Sequence, residues 1–270
     1  MNRADRPGAR TYLRLLGIFY RNSLAEELEY RVNFWANVTL SLFWLVWAAA
    51  GARVFFSFTG SVAGWTYHQL LVVMGLFFAM NGLRQAIVAP NLGKMSDYIR
   101  LGTLDYLLTK PVDSQFLVSL RHLGIYNWAD LLLGFGLAGY GLVRSGSAPG
   151  PGELALFAVL IAAAVLLLYS LGFVLQTLTI FAVASEGADD LLRGVLEAGR
   201  FPVSFYGGFV RGALTVVVPV AFLTTYPAEA LLGRARWTTA ALAAAVAAAA
   251  FFASAAFWRF SLRYYVGASS

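Results

Sequence analysis

The sequence has no cysteine and only two histidines, His68 and His122. Disulfides, thiolate chemistry and cysteine-ligated zinc are thereby excluded, while the redox compartment stays open. Charge is scarce as well. Asp, Glu, Lys and Arg make up 13% of the residues, about half of the ~25% usual in soluble domains. Lysine is nearly missing, because every basic residue except Lys94 and Lys110 is arginine; together with the alanine-rich runs, this reads as genomic compositional bias. There is no G-x-x-x-x-G-K-[ST] phosphate loop: the one Gly-Lys pair, Gly93-Lys94, runs into Met95 and lacks the upstream glycine. Nor is there an H-E-x-x-H pair or a pair of Asp-rich motifs. With the two histidines near span ends on opposite sides, an intramembrane enzyme has no converging catalytic groups.

What fills the chain is apolar: 59% of 270 residues, against roughly 45–50% in soluble domains. That excludes a disordered tail and an ordinary soluble enzyme, and points to an integral membrane protein. The net charge of +6 does not imply a nucleic-acid partner. The basic residues sit in short segments between long apolar runs, where membrane topology places them, rather than on one exposed face.

A helix needs about 20 mostly apolar residues to cross the hydrocarbon core. Six segments qualify: residues 32–52, 67–90 with Arg84 near one end, 123–143 interrupted only by Asp130, 154–185, 205–226 holding Arg211 and Pro219, and 237–258. The expected fold is all-α and membrane-integral, an N-terminal interfacial helix (1–31) followed by a six-span domain (32–270). With both termini on the cytoplasmic side, sixteen of the twenty basic residues fall inside; only Arg53, Arg144, Arg234 and Arg236 fall outside. That asymmetry sets the orientation. The first thirty residues carry charges throughout, so no cleavable signal peptide is expected. Arg10, Arg14 and Arg21 gather on one side of a helix, with Tyr12, Leu15, Leu16 and Phe19 opposite, a pattern suited to the membrane interface.

Residues 91–116 are longer than a connection requires, and they are patterned. Ser96 can cap a short helix beginning at Asp97, and Gly102 breaks it. Thr103 can cap a second turn, in which Leu104, Leu107 and Leu108 share a face, and Pro111 ends it. That apolar face must be covered by lipid, by the protein itself or by a cytoplasmic partner. Elsewhere, Asp189-Asp190 reads as a solvated helix start. Gly208 and Gly212 form a G-x-x-x-G that suggests close helix contact, as does the alanine-rich last span. Asp130, with Asn127 on the same face, and Arg211 are the ionisable groups for an ion pathway; their shallow positions favour a buried polar pair or snorkelling to the interface.

Ile99, Arg100, Gly102, Leu104, Asp105, Leu108, Lys110 and Pro111 match an I-R-x-G-x-L-D-x-x-L-x-[KR]-P pattern. This resembles the coupling region of ABC transporter membrane subunits of the type-2 permease family, in a bacterial branch. Residues 199–233 resemble the same branch, with an arginine-then-proline entry and then Val218, Pro219, Val220, Ala221, Tyr226, Pro227, Ala228, Leu231, Leu232 and Gly233. The resemblance implies a permease subunit, an exporter by family analogy, that forms the translocation path in a bacterial plasma membrane. It implies a coupling segment (91–116) that docks an ATPase through Asp97, Arg100, Leu104, Asp105, Leu107, Leu108, Lys110 and Pro111, and an outer re-entrant segment at 227–235. The implied partners are an ABC ATPase dimer and a second permease copy or sister permease, in the lipid bilayer and without nucleic acid. No cofactor is expected on this chain; ATP and Mg belong on the partner ATPase. The alternative is a self-sufficient channel or ion-coupled carrier using Asp130 and Arg211, with Asn127 in the same polar path.

Overall fold

The structure, a computed structural model, describes residues 8–28, 31–181, 188–216 and 219–265. Val218, named above, lies outside the described residues, as does the end of the expected 154–185 span. Among the described residues the chain is helical, apart from one isolated bridge between Val62 and Trp65. The end bearing residues 58–66 is called the upper end below, and the end bearing residues 91–121 the lower.

Helix α1 (Ala9–Leu28) leads to α2 (Arg31–Ser57). α2 is apolar all round, long enough to cross a membrane, and almost unburied, as expected of a helix solvated by lipid. A single continuous helix then runs from Tyr67 to Arg100, made of α3 (Tyr67–Leu83), a π-helical turn (Arg84–Val88) and α4 (Ala89–Arg100). Its 34 residues span about 50 Å, well beyond the ~30 Å hydrocarbon core. The helix therefore does not stop at Pro90, and no new helix begins at Asp97. Proline removes one donor and crowds the carbonyl four residues before it. Here the π turn widens the helix just ahead of Pro90, and the freed Ala86 carbonyl accepts from the Gly124 N–H at 2.8 Å.

Below this helix lie α5 (Leu104–Leu108) and α6 (Ser114–Leu120); α7 (Trp128–Arg144) then climbs back along α3. The α3–α7 contact is set by small residues. A Cβ on Gly75 would run into the Ala138 and Gly134 backbone, one on Gly82 would lie 2.7 Å from Leu131 N, and one on Gly141 2.6 Å from His68 O. Backbones this close require glycine. α8 (Pro151–Leu178) and α13 (Trp237–Ser261) are each long and apolar enough to cross a membrane, and they pack Ala163 and Ala164 near Ala240, Ala243 and Ala247. The alanine-rich helix thus packs tightly, as expected.

Between α8 and α13 the chain departs from the expected fifth span. α9 (Ala188–Glu197) and two 3-10 turns, Ala198–Arg200 and Val203–Phe205, run antiparallel to α3 for its whole length. Asp189 pairs with Arg84, Arg200 lies over the Phe77 ring, and Ser204 Oγ accepts from Trp65 Nε1 at 3.1 Å. Residues 188–206 thus reach from Arg84 to beside Trp65, about the length of α3, by being partly extended. α10 (Gly208–Val216), α11 (Val220–Leu223) and α12 (Thr225–Leu231) then follow as a broken helical pair, bent by 64° at the break. Its middle rests on residue 199, through Val220 and Thr224. It ends at the upper end, where Arg234 bonds Gly64 O at 3.2 Å and Gln69 Oε1 at 2.9 Å. The expected fifth span at 205–226 therefore coincides with a broken helical pair, which by length and composition fits a broken span or a re-entrant loop. Gly233, at φ +70°, turns the chain just after α12, where the end of the re-entrant segment was expected, although α12 begins at Thr225 rather than Pro227. Gly208 and Gly212 stand exposed, with nothing near their Cβ positions, so that G-x-x-x-G packs no helix within the chain.

Candidate functional site

The lower end is built from α4, α5 and α6. Gly102, at φ +67°, turns the chain out of α4 as its position implied. Thr103 precedes α5 but makes no side-chain cap. The apolar face of α5 is turned inward. Leu104 and Leu107 are 0% and 2% exposed and cluster with Met95, Val118, Phe173 and Trp258, with Leu108 packed against the group. Of the three possible covers for that face, the structure supplies the protein itself. Leu104 and Leu107 therefore form the floor of the segment and present nothing to a partner. The outer surface is different in kind: Arg100, Leu101, Asp105, Tyr106 and Pro111 are exposed. Asp97 bridges Arg100 at 3.1 Å and Lys94 at 3.9 Å, and Lys110 lies 3.8 Å above the Tyr106 ring. Of the expected contact residues, Asp97, Arg100, Asp105, Lys110 and Pro111 lie on or beside this surface.

A polar clamp anchors the segment to the spans. Asn91 is 1% exposed. Its Nδ2 donates to Ile87 O at 2.6 Å and His122 O at 2.7 Å, and its Oδ1 accepts from the His122 N–H at 3.0 Å. Gln176 of α8 donates to Asn91 O at 3.2 Å and to Val118 O at 2.9 Å. Asn127 donates to Gln85 O at 3.2 Å, and Gln85 Nε2 donates to Asp130 Oδ2 at 3.4 Å. The polar backbone exposed around the π turn is thus taken up by the start of α7 and by α8, which satisfies groups that lipid cannot. His122 meets Tyr98 Oη through Nε2 at 2.8 Å. Burial holds the imidazole below its ordinary pKa, and Arg121 and Lys94 push the same way against Glu26. Burial raises the Tyr98 phenol.

α1 packs along this assembly through the side expected to be apolar. Tyr12 stands edge-on to Phe116 at 4.9 Å, and Ser23 Oγ accepts from the Leu123 N–H at 3.2 Å. Most of the apolar stripe therefore faces the chain's own α6, leaving Leu13 and Tyr20 exposed. Asp113 caps α6 through the Phe116 N–H at 3.0 Å, a role that sequence reasoning missed although Asp followed by a short apolar run signals it.

The ionisable groups are distributed differently from expectation. Asn127 and Asp130 do share a face and meet at Gln85. Arg211 lies instead on exposed α10, within the broken helical pair. Asp189 is not merely a solvated helix start, because it is the partner of Arg84, which is 4% exposed and also donates to Asn81 Oδ1 at 3.2 Å. A buried arginine in an apolar helix is the signal that could have found this pair.

Compared with known families, residues 42–269 match a family model described as ABC-2 family transporter protein. Among curated proteins, none matches the chain.

Proposed function

The chain belongs to the ABC-2 transporter family, and on that premise we propose that it is the permease subunit of an ABC exporter in a bacterial plasma membrane. Members of this family are membrane transport components that work with ABC ATPase partners. In our reading an ATPase dimer, carrying ATP and Mg, docks on residues 91–116, and a second permease copy or sister permease completes the membrane domain. The six crossings are α2, α3, α7, α8, the 188–206 segment and α13. Both termini lie in the cytoplasm, and residues 208–231 re-enter from the outer face.

The observation that carries this reading is the lower segment itself. It projects past any hydrocarbon core on a helix continuous with α3, is braced from below by Leu104 and Leu107, and presents a charged outer surface. A push on α5 moves α4 as a rigid piece, because Asn91 and Gln176 lock it to the α6–α7 connection and to α8. The π turn at Arg84–Val88 is the point where such a helix can bend. Nucleotide-driven closure of the ATPases would then rock α3 together with α7, to which it is glycine-packed.

The absence of native cysteine gives a direct test. A single Asp105→Cys variant, purified from membranes with its partners and treated with a bifunctional maleimide, should yield an adduct with a chain bearing a phosphate loop. A Gly60→Cys control at the upper end should yield none. Purification of the chain alone, with no adduct from either cysteine, would refute ATPase docking and favour a self-sufficient channel or carrier.

A further inference from the structure

A groove of about 500 Å³ opens between α2 and residues 200–206. One wall is small, made by Ala48, Gly51 and Ala52, and a Cβ added at Gly51 would meet nothing within 4 Å. Aromatic side chains, among them Trp47, Phe55 and Phe205, form most of the rest with Leu70 and Met74, and Arg200 brings the one charge to its lining. Arg200 lies against Phe77, about 15 Å along the axis from Tyr67 and so near the middle of a ~30 Å core. An ionisable group at that depth is costly and marks a functional path. Its guanidinium bonds Glu197 at 2.8 Å, while its Nε is buried with no acceptor, an unmet donor that an anionic oxygen would satisfy. Below Arg200, the exposed face of α9 carries Asp190, Arg193 and Glu197 at i, i+3 and i+7, one polar stripe. Above it the walls are aromatic and aliphatic. The surface is therefore polar from the lower end to mid-depth and apolar from there upward.

We infer that this groove binds a single-chain amphiphile drawn from the bilayer, its carboxylate or phosphate head on Arg200 and its chain along Ala48, Gly51 and Ala52. The inference names the substrate class of the proposed permease and rests on that reading. The volume falls within the range of small-molecule sites. The small wall on α2 leaves room for one linear chain, and the charge on Arg200 selects the head.

The test uses the full chain with its co-purified partners in lipid nanodiscs and a palmitic acid probe carrying a diazirine on its chain. Adducts are mapped by mass spectrometry, beside the alcohol probe of the same length. Labelling should concentrate at Trp47, Phe55 and Phe205, with the acid labelling about tenfold more than the alcohol, as expected for one charge-assisted contact. Arg200→Gln should erase that preference and Arg200→Lys keep it. Gly51→Phe, which fills the groove without touching the charge, should abolish labelling by both probes. Equal labelling by acid and alcohol, or adducts spread evenly to Trp35 and Phe43, would overturn the inference, as would a probe-independent cross-link to a second copy at the groove. Labelling requires no ATPase, so failure here leaves the permease reading standing, and loss of the ATPase partner leaves the labelling result standing.

Discussion

Replacing Asn91 with alanine should separate ATP hydrolysis from transport. The side chain makes three hydrogen bonds, at 2.6, 2.7 and 3.0 Å, and two of them satisfy the His122 N–H and C=O. Hydrogen bonds between membrane helices average about 0.6 kcal/mol and reach about 1.7, whereas a buried polar group left unpaired costs roughly 1–3 kcal/mol. Three bonds lost and two backbone groups stranded give about 2–4 kcal/mol. Asn91→Asp should be at least as damaging, because it keeps an acceptor for the His122 N–H but turns a negative oxygen toward two carbonyls. Stability is read as unfolding in detergent followed by tryptophan fluorescence, and coupling as transport per ATP hydrolysed in proteoliposomes. The expected result is an assembled complex that still hydrolyses ATP and transports poorly, since the push on α5 no longer reaches the α6–α7 connection at His122, although Gln176 still holds the residue 91 carbonyl. A variant within about 0.5 kcal/mol of wild type with unchanged coupling would refute the clamp as the transmitting element.

Gly134→Ala, which in an ordinary helix would gain up to ~1 kcal/mol, should instead lose about 1–3 kcal/mol or more by overpacking against Ala79, while Gly208→Ala and Gly212→Ala stay near neutral in the same melts. Asp189→Asn should cost about 2–3 kcal/mol, below the ~3–5 of a fully buried pair because Asp189 is 40% exposed; Asp190→Asn should shift the midpoint little. Leu104→Ala should cost about 2–5 kcal/mol, whereas Arg100→Glu and Asp105→Arg should leave unfolding unchanged and weaken ATPase co-purification. Because His122 has a lowered folded pKa, the unfolded chain binds more protons between that value and its ordinary ~6.5. Stability is therefore full above about pH 6.5 and falls as pH drops toward and through the lowered value. His122→Gln should flatten this acid limb, and an unchanged limb would contradict the assignment.

α2, α8 and α13 were legible within a few residues because each is solvated largely by lipid, so its own hydropathy decides its fate. The continuation of α3 past Pro90 was not, because the remedy for the proline is the N–H of Gly124, far along the chain. The course of residues 188–206 along α3 was hidden for a related reason. Asp189 is neutralised by Arg84 and the other charges line an open face, so no window of the sequence looks apolar enough. Residues 205–226 show the converse: they are apolar and long, yet they are broken by a 64° bend. The α3–α7 seam was readable in principle, since Gly75 and Gly82 stand at the same spacing as Gly134 and Gly141, and two such pairs carry more information than the single G-x-x-x-G that the fold leaves exposed. At the lower end, the pattern located the short helix at 104–108 but could not say what covers it. An apolar face of three leucines is the same in sequence whether it meets a partner or its own Trp258.

That ambiguity bears on how a permease of this kind would transmit force. If the leucines met the ATPase, the segment would be ordered only in the complex, and each docking event would carry the entropic cost of ordering it. With Leu104 and Leu107 already buried against Met95 and Phe173, the segment is a preformed lever, and docking need only complement Arg100, Asp105 and Lys110. Charged contacts of that kind set partner choice and association rate more than raw affinity. On the proposed reading the two functions are carried by different residues: the outer charges would choose the ATPase, and the buried leucines with Asn91 and Gln176 would pass its motion to the spans. Outer-surface variants should lose assembly while retaining the fold, clamp variants should keep assembly and lose coupling, and a variant that crossed these classes would show that recognition and transmission share one surface.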